Sequence, residues 1–139
     1  MQSGWLAYEV AFEGAGAMRD LAMTNYDGPS IGSGVVTYTR IVDHPVLEGL
    51  PTTFTFTTEG DEAGTIIAYG VDPAQKIMSS STCGTAGCPA GAGVFVRSLG
   101  AGRAVKFSFM PHWNGTGAVL LDVNVQRLFV NAVRWGTGQ

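Results

Sequence analysis

This chain has little charge. Of its 139 residues only 14% are Asp, Glu, Lys or Arg, and eight basic residues stand against eleven acidic ones for a formal net charge of −3. The basic residues are scattered singly and form no stripe that could neutralise a phosphate backbone, which excludes nucleic acid as a partner. No apolar run approaches the roughly 18–20 residues needed to cross a bilayer as a helix, so no membrane partner is expected. Residues 1–5 carry neither the basic stretch nor the apolar core of a signal peptide, so the chain reads as cytosolic or as preceded by a leader. Histidine occurs only at His44 and His112, without paired spacing, so neither a metal nor a cofactor is expected. No internal repeat is present.

What is there is a globular composition, 45% apolar, long enough for one domain spanning residues 1–139 and too short for two. With so few charges, the surface is finished with Gly, Ser and Thr, or part of it is covered by a partner chain. The two cysteines, Cys83 and Cys88, sit in the small-residue loop Ser79-Ser80-Ser81-Thr82-Cys83-Gly84-Thr85-Ala86-Gly87-Cys88-Pro89. Two readings stand open. A local disulfide would staple the loop and imply an extracellular or periplasmic location, whereas two reduced thiols would be compatible with the cytoplasm.

Along the chain, residues 5–12 fit either a strand or the start of a helix, and residues 15–23 read as a short helix with Met18, Leu21 and Ala22 on one face. Residues 35–42 form a β-branched strand. Asp43-His44-Pro45-Val46-Leu47-Glu48-Gly49-Leu50-Pro51 is a compact connector, since its prolines and glycine interrupt any long element. Thr53-Phe54-Thr55-Phe56-Thr57 alternates as a strand with one apolar and one polar face. Residues 65–71 read as a buried central strand. Residues 94–97 and 103–110, separated by Gly100-Ala101-Gly102, read as a hairpin. In the closing segment Leu121, Val125, Leu128, Ala132 and Trp135 recur at intervals of four and three, the stripe of an amphipathic helix, with Gly136 read as its C-cap.

Two segments together resemble a known family. Asp43 through Pro51 resembles the "HPI-x-x-GLP" connector of class I glutamine amidotransferase-like domains, including the trehalose-utilisation family. Gly102-Arg103-Ala104-Val105-Lys106-Phe107 through Pro111-His112-Trp113, followed by Phe129-Val130-Asn131-Ala132-Val133-Arg134-Trp135, resembles the end of the same domains. There a "G-x-GRV" strand leads to a histidine-bearing loop and a last helix ending in "N-A-x-x-W". The resemblance covers residues 42–135. It implies an α/β fold, a partial flavodoxin-like or amidotransferase-like sheet with added β-hairpins and a C-terminal amphipathic helix. Roughly the first hundred residues of a typical domain have no equivalent, so the expected chain is a fragment, a permuted or shortened variant, or half of an assembly whose partner supplies the missing strands, with an exposed sheet edge that invites pairing with another copy.

The resemblance also places His112 where the family keeps a catalytic histidine. The nucleophilic cysteine of those enzymes sits earlier, on a strained strand-to-helix turn. Nothing upstream of His112 fits that description, and the acid that usually follows the histidine is replaced by Trp113. His112 therefore reads either as a histidine capping a strand end or as a general base, with Asp43 or His44 as the partner that the connector could bring. Asp43 and His44 themselves fit local hydrogen bonding that fixes the turn. Trp113, with Trp5 as a lesser candidate, could serve as a platform for a sugar ring, and Asn114-Gly115-Thr116 fits a glycosylation sequon. Glu59, Asp61 and Glu62 read as a solvated turn, since no EF-hand-like spacing is present. The expected function is a non-catalytic binding or assembly module, carbohydrate-related, derived from the amidotransferase-like fold. The alternatives are a small hydrolase or isomerase using His112 with Asp43 or a metal, and a subunit of an extracellular polymer.

Overall fold

A computed structural model describes residues 24–25, 30–31, 34–62, 65–66, 75–82, 91–109 and 117–139. It is a mixed α/β structure: a five-stranded sheet and one C-terminal helix. The strands are β1 (Thr24–Asn25), β2 (Ser30–Ile31), β3 (Gly34–Arg40), β4 (Thr53–Thr58), β5 (Asp61–Glu62), β6 (Thr65–Ile66), β7 (Gln75–Ser80), β8 (Gly91–Leu99) and β9 (Gly102–Phe107). The helix, α1, runs Val123–Thr137.

The sheet order is β4-β3-β7-β8-β9, and each of its four pairings is antiparallel. This differs from the expected flavodoxin-like sheet, whose parallel strands need crossover connections of a dozen or more residues. Here β3 and β4 are joined by the connector, and β8 and β9 by two residues. β2 and β5 form a separate two-residue antiparallel ladder, Ser30↔Glu62 and Ile31↔Asp61, and β1 and β6 form another, Thr24↔Ile66 and Asn25↔Thr65. Of residues 65–71, read as a buried central strand, only Thr65–Ile66 are described, and they pair antiparallel with Thr24–Asn25.

Alternation built β4 as the sequence predicts: Phe54 and Phe56 are buried while Thr53, Thr55 and Thr57 are exposed. The β8–β9 hairpin also forms, with Leu99↔Gly102 closing a two-residue loop. Gly100 takes φ +58° while, among the described residues, no non-glycine residue has positive φ, the sign pattern of a type II′ turn, which favours glycine at its first central position. Strand β7 has no counterpart in the sequence reading. Its register against β8 shifts on both sides of Met78, so Ile77 and Met78 are both buried and the period-2 signal is erased.

The core lies between the sheet and α1. Val36, Tyr38, Phe54, Phe56, Ile77, Met78, Val94, Val96, Val105, Phe107 and Phe109 meet Val125, Leu128 and Ala132 of the helix. Tyr38, fully buried, packs edge-on against Phe56 with ring centroids 4.9 Å apart. Its hydroxyl is satisfied by the Ser108 hydroxyl at 2.6 Å and by the Phe109 N–H at 3.3 Å. A Cβ at Gly93 would lie 2.9 Å from the Tyr38 ring, so the glycine in β8 is what lets the ring lie there.

Helix α1 differs from its sequence reading at both ends. Leu121, assigned to the buried stripe, precedes the helix in a 3₁₀ turn (Ala118–Leu121) and is 76% exposed. Asp122 is the N-cap, its carboxylate accepting from the Asn124 and Val125 N–H groups at 2.9 and 3.1 Å, as short polar side chains do at helix starts. The helix runs past Gly136 to end at Gly138 with φ +78°, the left-handed C-cap conformation. The readings of residues 5–12 and 15–23 lie outside the described residues, as do Cys83 and Cys88. No disulfide occurs among the described residues, which contain neither cysteine.

Candidate functional site

The connector between β3 and β4 folds into a 3₁₀ turn (Pro45–Leu47), and His44 is its N-cap. Proline opens the turn because its fixed φ suits the first helical position and its missing N–H costs no bond there. The Val46 N–H donates to His44 Nδ1 at 3.3 Å. His44 Nδ1 is therefore an acceptor, which places the ring's proton on Nε2. The local turn bonding read from the sequence is what His44 does. Burial pushes its pKa below the usual 6.5, because the charged imidazolium loses hydration.

Asp43 is the exposed partner of Arg40, with Oδ1 at 3.1 Å from the guanidinium and its side chain 93% exposed. Arg40 holds the connector more firmly through its other nitrogen, Nη2, which donates to Leu47 O at 3.0 Å and Leu50 O at 2.6 Å. An arginine suits this task because several donors diverge from one rigid plane. In the sequence Arg40 lies inside the strand read over residues 35–42 and carries no signal of this role.

The connector then docks on α1. Asn131, 8% exposed, donates from one amide nitrogen to Val46 O at 3.2 Å and Glu48 O at 2.8 Å. Arg127 donates to Gly49 O at 2.9 Å. Gly49 sits at φ +68°, and a Cβ there would collide with the Arg127 guanidinium. The Trp135 ring lies edge-to-face against His44, centroids 4.9 Å apart. Arg103, at the start of β9, sits 5.4 Å over the same indole and donates to Trp135 O at 2.7 Å. Trp135 is thus held between a histidine from the connector and an arginine from the sheet.

These contacts join three segments far apart in sequence: His44, Val46 and Glu48 of the connector, Arg103 of β9, and Asn131 and Trp135 of α1. The sequence places Trp135 only on the apolar stripe of the helix and gives Asn131 and Arg103 no role, because side chains up to 91 positions apart meet only in three dimensions.

Two shallow depressions flank the Glu48-Gly49 turn. One, about 610 Å³, is lined by Glu48, Gly49, Gln126, Arg127 and Arg134 together with the exposed apolar Val123 and Val130. The other, about 430 Å³, is lined by Arg40, Asp43, His44, Pro45 and Leu47. Neither has a hydroxyl, thiol or amine side chain in its lining. Among the described residues no three His, Cys, Asp or Glu side chains converge to hold a metal ion, and no helix is long and apolar enough to cross a membrane. Of the predicted site residues, Asp43 and His44 lie side by side on the connector, and His112, Trp113 and Asn114 lie outside the described residues. Compared with protein-family models, with curated proteins and with solved structures, the chain matches none.

Proposed function

We propose that this chain is a non-catalytic binding and assembly module, in which the connector and closing helix are remnants of a class I glutamine amidotransferase-like domain. In this reading an antiparallel sheet stands where the flavodoxin-like ancestor carried parallel strands. The observation that carries the proposal is the mutual docking of the three motif segments. His44 accepts a backbone N–H, Asn131 donates to two backbone carbonyls, and Arg40 to two more. These polar groups are occupied in fixing one turn. Asp43, the carboxylate assigned to help His112, lies on the open surface in an ion pair with Arg40, where water screens its influence on a neighbouring imidazole.

The depressions beside Glu48-Gly49 supply amide, guanidinium, imidazole and carboxylate edges and no hydroxyl, thiol or amine side chain. That chemistry suits a neutral polyhydroxylated ligand such as a carbohydrate, held by hydrogen bonds. Catalysis is tested by measuring ammonia released from glutamine by the full chain. The expected rate equals that of buffer alone. Release that exceeds buffer and disappears in His112→Ala would overturn the non-catalytic reading.

A further inference from the structure

β4 is the last strand at one side of the described sheet, and its register with β3 fixes which of its peptide groups point outward. The Arg40 N–H donates to Thr52 O at 2.8 Å, so Arg40 and Thr52 are a hydrogen-bonded pair. Bonded and non-bonded pairs alternate along an antiparallel ladder. Tyr38↔Phe54 and Val36↔Phe56 are therefore bonded pairs, and Thr39↔Thr53, Thr37↔Thr55 and Val35↔Thr57 are not. The 3.0 Å contact between the Thr37 and Thr55 hydroxyls agrees, because side chains come closest at non-bonded pairs. It follows that the N–H and C=O groups of Thr53, Thr55 and Thr57 point away from β3, and none of them bonds to a described residue.

The sequence along this edge is self-complementary. Residues 52–58, Thr-Thr-Phe-Thr-Phe-Thr-Thr, read the same in both directions about Thr55. A second copy laid antiparallel with Thr55 opposite Thr55 sets Thr53 opposite Thr57 and Phe54 opposite Phe56. In that register Thr55↔Thr55 and Thr53↔Thr57 are the bonded pairs, so the outward groups of all three threonines find partners. Phe54 and Phe56, 5% and 4% exposed on the core side, stay on the core side of both copies, and the exposed threonines meet threonines. A slip of one residue would set a phenylalanine face against a threonine face. Residues 52–58 also lack the lysine, proline or other charge with which natural sheets block edge pairing.

We infer that the chain self-associates through β4, the partner being a second copy related by a two-fold axis at Thr55, so that two five-stranded sheets become one continuous sheet. This deepens the assembly half of the proposed function and is independent of its non-catalytic half: a monomer would sink the pairing and leave the ammonia-release result standing. The test is sedimentation equilibrium of the full chain over a range of concentrations. The wild-type protein is expected at twice the 14.6 kDa chain mass. Thr55→Lys, which sets two like charges directly opposite at the two-fold, and Thr55→Pro, which removes an outward N–H that β3 does not use, are both expected at the single-chain mass. Thr37→Lys, one strand inward on the same face, should remain a dimer. Far-UV circular dichroism checks that each variant is folded, and if Thr55→Pro is not, Thr55→Lys decides. A wild-type monomer at every concentration, an assembly larger than two chains, or a dimer that survives the Thr55 substitution would each overturn the inference. The last outcome would point to the exposed apolar residues of α1 instead.

Discussion

Replacing Asn131 by alanine should loosen the whole junction between connector and helix, and the size of the loss can be worked out. Its amide nitrogen makes two hydrogen bonds, to Val46 O and Glu48 O, from a site only 8% exposed. Each such bond contributes about 1 kcal/mol net, and an acceptor left buried and unpaired costs about 1–3 kcal/mol. Water can reach Glu48 O more readily than Val46 O, since Glu48 is exposed and Val46 is fully buried. Full penalty is therefore expected at one carbonyl and partial penalty at the other. Against this, alanine is a better helix former than asparagine by about 0.5–0.7 kcal/mol. The net expectation is a destabilisation of about 1–2 kcal/mol, or a fall in Tm of roughly 3–6 °C for a domain of this size. Urea denaturation followed by circular dichroism measures it, with the midpoint moving and the slope unchanged. A His44→Ala, Asn131→Ala double-mutant cycle adds a second check, because both residues fix the same turn and their effects should fall short of additive. Equal or greater stability of Asn131→Ala would refute the idea that the motif segments are a structural clasp.

Three further outcomes are expected. His44 is held neutral by burial, with its folded pKa below the usual 6.5. The unfolded chain therefore takes up the proton first as pH falls, so the contribution of His44 is fully present above about pH 6.5 and is lost as pH drops toward the lowered folded value. Urea midpoints measured between pH 7.5 and 5 should fall in that window, and His44→Gln should flatten the part of the slope that His44 causes; an unchanged slope would contradict the assignment. Gly93→Ala drives a methyl into the buried Tyr38 ring, which cannot swing aside, and should cost about 1–3 kcal/mol by overpacking, read from the same denaturation curves. Asp122→Ala removes the cap on two N–H groups of α1 and should cost about 1 kcal/mol, with helical circular dichroism signal lost before the main transition if the helix frays from that end.

The alternation of Thr and Phe in residues 53–57 determined β4, because a period of two has one solution once one face must be buried. Gly100-Ala101 determined the β8–β9 hairpin through the sign of one backbone angle, and the stripe Val125, Leu128 and Ala132 determined the buried face of α1. The sequence also supplied the palindrome about Thr55 and the connector with its histidine cap. Only the tertiary structure decided that the sheet is antiparallel, since strand direction depends on which strands meet and not on the residues within any one of them. It alone revealed β7, whose register shift at Met78 buries two successive residues and hides the strand from any periodicity. It alone decided what the resemblance residues do: His44, Arg103, Asn131 and Trp135 carry no mutual signal along the chain, and their roles exist only where folding brings an amide to a carbonyl 85 residues away.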